Sequence, residues 1–432
     1  MGGWRASFLA SALALLATVL LTARWLACEG RSPLFALLLL GFPSAVAYGR
    51  MATSDVPSAA VVAAGLLLFW RGLDGARGAW LAAGFLAGAS TLLRESNVLP
   101  FAPLFAGALL RRDRGWPALA AGGALGLALR GGASWWTWGD PLYVKEAGYG
   151  FAPANVLANL DVDALGLLVF VPGGLLVAAA YRGRRRPEVL AALALYVAFY
   201  LAYGYTARES GSEQRILLRL RFYLPLLPLL VFAYAEALPR LARAAAARLA
   251  EGPEARERLQ RAARAAVFAW AAAALAGGLA LHVFLARYGE KEARVRALIE
   301  RHTPDGALLV TNLRMTQRYL QPFFAPRRVV DREGRAGPDV DVLADRHDEV
   351  YVVLLDRFGS PYLAEHAREN AGFLACVAHP LEAVLRTDTG PEERLAIWRV
   401  RRGAAETRAP AVPDAGGAGR APGGLAPARR PS

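Results

Sequence analysis

The sequence predicts a mainly α, polytopic transmembrane helical bundle of about ten spans that leads into a small C-terminal extracytoplasmic α/β domain. Three observations carry that reading. Apolar residues recur in runs of about 15–22, the length that crosses or nearly crosses a bilayer. Arginines crowd the loops between those runs. After Glu290 the pattern changes to short buried strands rich in Val, Leu and Ile, with helical stretches between them. A length of 432 residues, 55% hydrophobic content and a mean hydropathy of +0.28 leave room for both parts. The expected division is residues 1–286 for the membrane part, 287–402 for the α/β domain and 403–432 for a disordered, Ala/Pro/Gly/Arg-rich tail.

Taken in order, Ser7–Cys28 is the first span. It has the look of a signal peptide, but no small-residue cleavage site is followed by a soluble chain. Leu34–Gly49, Val56–Trp70, Ala79–Leu93, Val98–Leu110 and Pro117–Leu129 read as further spans, followed by Ala164–Tyr181, Val189–Tyr205, Phe222–Leu238 and Ala265–Ala286. Several are short or rich in Gly and Ala, as tightly packed membrane helices are. In the last part, Lys291–His302 reads as a helix and Ala307–Asn312, Arg328–Asp331, Val350–Leu355 and Leu395–Val400 as strands. Helical segments near Val340–Arg346 and Tyr362–Asn370 complete a three-layer sandwich.

The net charge of +14 invites a nucleic-acid reading, but its placement excludes one. The loops Arg71–Arg77, Arg111–Arg114, Arg182–Arg186 and Arg240–Arg264 all fall on one side if the spans alternate. That side is cytoplasmic by the positive-inside bias. Asp55, the Arg94-Glu95-Ser96-Asn97 turn, the Trp135–Asp163 loop, Arg208–Arg221 and everything after Ala286 then lie outside, in a cell inner membrane. Alternation also puts Met1 outside, which leads to the expectation that a natural first helix and outer loop are missing. Cys28 and Cys376 fall on opposite sides, so no disulfide framework follows. His302, His347, His366 and His379 lack ligand spacing. Outer-face carboxylates leave a divalent cation open as a cofactor, but no ligand set demands one.

Four features meet on the outer side. Asp55 opens a span after the polar turn Tyr48–Pro57, with Ser54 as N-cap and Pro57 in the first turn. Arg94 and Glu95 close the fourth span. Trp135, Trp136 and Trp138 stand beside Gly139-Asp140-Pro141, and Arg215, Arg219 and Arg221 lead into Phe222-Tyr223-Leu224-Pro225-Leu226-Leu227-Pro228. Arginine forks match phosphate oxygens, so the set suggests handling of an anionic lipid head group. Each residue also has a plainer role. Asp55 caps a helix, Arg94 and Glu95 neutralise each other, Asp140 caps a turn, the tryptophans line the interface, and Arg219 and Arg221 anchor there. For Arg221 function is weighed ahead, because outer arginines run against the charge bias.

With those residues in place, the chain resembles the membrane-embedded GT-C glycosyltransferases, in their protein mannosyltransferase-like and aminoarabinose-transferase-like branch. The likeness rests on Tyr48–Pro57, Gly84–Pro103, Trp138–Pro141 and Arg221–Pro228 in that order, and covers roughly residues 7–286. It implies transfer of a sugar from a polyprenyl-phosphate donor to an extracytoplasmic acceptor (a lipid, glycan or protein) by inverting displacement. By position Asp55 matches an outer-face acidic residue, Arg94 a basic turn residue and Arg221 the basic residue before the Leu-Pro helix. The resemblance thus gives Asp55 a catalytic role and Arg94 and Arg221 phosphate contacts; Glu95, Asp140 and Arg219 join as substrate-binding candidates from their place in the outer set. The family's first-loop acid would lie in the segment expected to be missing, and the chain as it stands would then be inactive. Two other classes stay open: a transporter or flippase for lipid-linked sugars, and a non-catalytic scaffold that presents the C-terminal domain.

Overall fold

The computed structural model describes residues 3–49, 53–142, 150–204, 219–249, 252–312, 326–332, 336–358, 361–390 and 392–402. The expectations about Arg215, Tyr143 and the 403–432 tail fall outside those residues. Two compact units divide at Gly289/Glu290.

In the first unit, α1 (Gly3–Cys28) is followed by a 3₁₀ turn (Pro33–Leu39) and the short α2 (Pro43–Gly49), then by α3 (Asp55–Leu73). α1 and α3 run parallel. Trp25, near the end of α1, packs edge-on against Trp70 near the end of α3 (ring centroids 4.9 Å), and Phe232 stacks on Trp25 at 4.0 Å. Residues 33–49 therefore make the return path. Their expected single span is broken at Pro43, which lacks an N–H to continue the preceding turn and instead starts a new helix.

α4 (Ala79–Ala89) ends in a 3₁₀ turn at Ser90–Leu92, and a second 3₁₀ turn, Glu95–Val98, leads to α5 (Ala102–Leu110). α6 (Trp116–Trp138) is longer than its expected span, so the three tryptophans sit on its last turns and not in a loop. α7 (Pro153–Val169) begins well before the expected span and takes Asp163 into a helix. Gly173, at φ +70°, separates it from α8 (Gly174–Ala179). α9 (Arg186–Ala202), a 3₁₀ turn at Arg221–Tyr223, α10 (Leu227–Leu249) and the long α11 (Pro253–His302) follow. Among the described residues three helices are long and apolar enough to cross a membrane, Leu9–Cys28, Asp55–Leu73 and Pro253–Ala280, with Ala79–Leu92 a shorter apolar helix. Several expected spans are thus shorter or broken.

α4 and α6 cross with their backbones almost touching. A Cβ built on Gly84 would lie 2.0 Å from the Leu119 carbonyl oxygen, and one on Gly122 2.0 Å from that of Leu81. Gly88 and Gly126 repeat the arrangement one turn on. This is small-xxx-small packing on both partners, and dispersion between close backbones supplies the attraction that lipid-exposed apolar side chains cannot.

The four arginine loops gather at one end of this unit. Arg184 pairs with Asp74 (2.6 Å), Arg111 with Glu188 (2.8 Å), Arg185 with Asp113, and the Arg182 backbone N–H donates to Glu236 (3.0 Å). Asp55 lies at the opposite end, because α3 starts there and reaches the basic end at Trp70 and Arg71.

The second unit is the expected three-layer sandwich. Its sheet has the order β2 (Arg328–Asp331), β1 (Leu308–Thr311), β3 (Val350–Arg357), β5 (Glu393–Val400), β4 (Leu381–Gly390). The first three strands are parallel, while β5 and β4 are antiparallel. Leu309, Val353 and Ile397 pack on Val295 and Ile299 of α11, and Leu308, Val310 and Val352 face α12 (Gly337–Arg346) and α13 (Pro361–Ala375). The edge strand β4 was not expected, since Leu381–Gly390 carries Glu382, Arg386 and Asp388 among its apolar residues and none of it is fully buried.

The crossing of α4 and α6 predicts a sharp contrast. Gly122→Leu should abolish a well-folded product, scored by monodispersity and thermal unfolding in detergent. Gly132→Ala, where nothing lies within 4 Å, should be tolerated or stabilise by about 0.5–1 kcal/mol through helix propensity.

Candidate active site

Asp55 is the first residue of α3, and its carboxylate is buried. It meets the Arg94 guanidinium in a direct ion pair. Arg94 is the extended residue between two 3₁₀ turns (φ −166°), in the turn expected there, and its side chain points inward to Asp55. Its Cζ lies 4.4 Å from the centre of the Phe222 ring and 5.8 Å from that of Tyr200. A guanidinium on aromatic faces in a dry setting is held by about 1–2 kcal/mol in addition to its ion pair. Ser96 and Tyr200 share a hydroxyl hydrogen bond of 2.5 Å. Behind them buried Asn97 donates to Ser58 Oγ and to the Ser90 carbonyl oxygen, both at 2.9 Å, and so fixes the turn against α3 and α4.

Arg221 approaches the same Phe222 ring, with its Cζ 5.1 Å from the ring centre and 5.3 Å from that of Tyr48. Arg94 and Arg221, far apart in sequence, therefore share one aromatic platform at the Asp55 end of the bundle. The platform is anchored beneath by Tyr196, whose hydroxyl donates to the Phe222 carbonyl oxygen (2.7 Å).

The other candidates lie apart from this set. Glu95 does not neutralise Arg94; it faces Arg130 of α6 at 3.4 Å and is half exposed. Asp140 is exposed and accepts the Leu142 backbone N–H at 2.9 Å, a turn-capping role. Trp136 is 91% exposed, and Trp135 and Trp138 are 61% and 62% exposed, so these rings face outward as interfacial residues do. Arg219 is wholly buried and turns away from the platform into a bidentate pair with Asp163 (both contacts 3.0 Å). No group of three or more His, Cys, Asp or Glu able to hold a metal ion occurs among the described residues.

Reading the sequence missed Asp163, Tyr200 and Tyr223. The spacing of Asn159, Asp163 and Gly166 is that of one helix face, a signal masked by the expectation of a loop up to Asp163. Arg94 and Asp55 were both singled out, but their pairing across 39 positions was not.

The fold, an irregular helical bundle followed in the chain by a small α/β unit, is similar to that of a solved membrane protein, ArnT. The family model described as dolichyl-phosphate-mannose-protein mannosyltransferase matches residues 3–136, from α1 to the end of α6. A comparison with curated proteins gives no match. Among solved structures, ArnT from Cupriavidus metallidurans in the apo state is similar, with a TM-score of 0.58 and 17% identity over 90% of this chain and 83% of ArnT. The structure of ArnT bound to undecaprenyl phosphate gives a TM-score of 0.56, at 17% identity over 91% of this chain and 83% of that one.

Removing the carboxylate alone strands Arg94 in a largely dry place. Asp55→Ala should lower stability by about 2–3 kcal/mol, and the double change Asp55→Ala with Arg94→Met should restore most of it. Thermal midpoints in one detergent compare the three.

Proposed function

We propose that this protein transfers a sugar from a polyprenyl-phosphate-linked donor to an extracytoplasmic acceptor by inverting displacement. The observation that carries the proposal is the pairing of Arg94 and Arg221 on the Phe222 ring beside Asp55. Two guanidiniums on one ring offer forked donors to the oxygens of a phosphate. The undecaprenyl phosphate seen with ArnT, on the same fold, supports this choice of ligand.

In the reaction proposed, a nucleophilic group of the acceptor attacks the anomeric carbon from the face opposite the phosphate. The bond from that carbon to the phosphate oxygen breaks, and its electron pair leaves with the polyprenyl phosphate. Arg94 and Arg221 stabilise the growing charge on the leaving phosphate, where fixed cations in a dry site act most strongly. Asp55 accepts the acceptor's proton, a role open to it once the incoming phosphate draws Arg94 away from the carboxylate. The arginine-rich end faces the cytoplasm in this reading, which puts the Asp55 end and the C-terminal unit outside.

The test is polyprenyl-phosphate binding to the purified protein, joined to a transfer assay with a lipid-linked sugar. Arg221→Ala should lose at least tenfold in affinity, or about 1.4 kcal/mol. Asp55→Asn should keep binding and lose transfer. Unchanged transfer in both variants would remove the assignment. Binding without transfer in the wild type would instead favour the lipid-linked sugar transporter, and no binding at all the scaffold.

A further inference from the structure

Resting on that reading, we infer that the buried Asp163–Arg219 pair is a positioning device that sets the phosphate platform and does not itself touch substrate. The argument starts from the weakness of what it holds. Arg221 and Phe222 sit in a single 3₁₀ turn, Arg221–Tyr223, and one such turn has little stability of its own. Side-chain hydrogen bonds to other elements add to its few local backbone bonds.

Arg219 supplies most of them. Its Nε and Nη2 each reach one Asp163 oxygen at 3.0 Å, which ties the start of the turn to α7. Nη1 donates to the Tyr203 carbonyl oxygen (3.0 Å) and Nη2 also to that of Tyr200, so the same side chain closes the C-terminal end of α9. The Tyr200 carbonyl oxygen also accepts the Tyr203 N–H (3.1 Å) and that of Tyr203 the Asn159 side-chain amide (3.0 Å), so Arg219 joins contacts already made at the end of α9. From the other side of the turn, the Tyr223 hydroxyl donates to Asp163 Oδ2 at 2.7 Å. One carboxylate thus receives the residue three places before Phe222 and the residue one place after it. The turn is gripped on both sides of the ring on which Arg94 and Arg221 lie.

A fully buried ion pair is a poor way to gain stability, because desolvation of two charges offsets most of their attraction. Well-packed apolar residues of the same volume hold a helix bundle together as well or better. What they cannot do is fix two carbonyls and a hydroxyl at hydrogen-bond distance.

Replacing the pair as a unit separates positioning from stability. In Asp163→Leu with Arg219→Met, no buried charge is stranded, and the thermal midpoint should stay near the wild-type value. Undecaprenyl phosphate added to the purified full-length chain should nonetheless bind at least tenfold more weakly. Tyr223→Phe, which deletes one hydroxyl, should weaken binding by a smaller factor with the fold intact. In the transfer assay both variants should show a raised KM for the donor with a smaller change in kcat. Wild-type affinity in a folded double variant overturns the inference. So does wild-type affinity in Tyr223→Phe, which decides the matter if the double variant does not fold. Absence of binding by the wild type is a different result, since it defeats the phosphate reading itself.

Discussion

The contact between Arg94 and Asp55 is the interaction on which the Asp55 end of the bundle depends. Arg94 comes from an irregular piece between two 3₁₀ turns, and Asp55 from the first turn of α3. Neither segment would keep a charged group in a dry place without the other, since an unpaired charge there costs several kcal/mol. The pair therefore decides how the break after α4 meets α3, and Asn97 and Ser58 finish the junction with hydrogen bonds. Phe222 can then lie on Arg94 only because the turn that bears it is fixed from α7 and α9. Local weakness in three segments is resolved by contacts among them.

That dependence explains which parts of the protein the sequence made legible. The architecture was readable because it rests on composition: apolar runs, arginine-rich loops, and a change to strand-like patterning after Glu290. Asp55, Arg94 and Arg221 stood out because each is a charged residue at the edge of an apolar run. What could not be read was partnership. Glu95 is next to Arg94 in sequence, yet the 3₁₀ turn sends it to Arg130 and leaves Arg94 for Asp55. Arg219 and Arg221 are two residues apart and look alike, but one faces the interior and the other the platform.

Helix limits failed for a related reason. Sequence windows respond to hydropathy, whereas these helices end at particular atoms. Gly173 turns the chain with a positive φ, and Pro43 ends one turn and begins the next. Asp163 was expected at the end of an outer loop, before a span starting at Ala164, whereas it lies within α7, where a buried carboxylate is costly. In the fold Arg219 and Tyr223 meet that cost, and neither is near it in sequence. The strands of the C-terminal unit were easier, since their apolar faces pack on helices on both sides; only β4, which lacks that signature, escaped.

The ion pairs at the arginine-rich end carry an implication for how the chain is made. Asp74 and Asp113 are completed by Arg184 and Arg185, and Arg111 by Glu188, partners that leave the ribosome long after them. Until α9 begins to emerge, Asp74 and Arg111, each about half exposed, have water in place of these partners. The early half of the bundle is then a provisional arrangement during synthesis, and the loop before α9 is the clasp that makes it permanent.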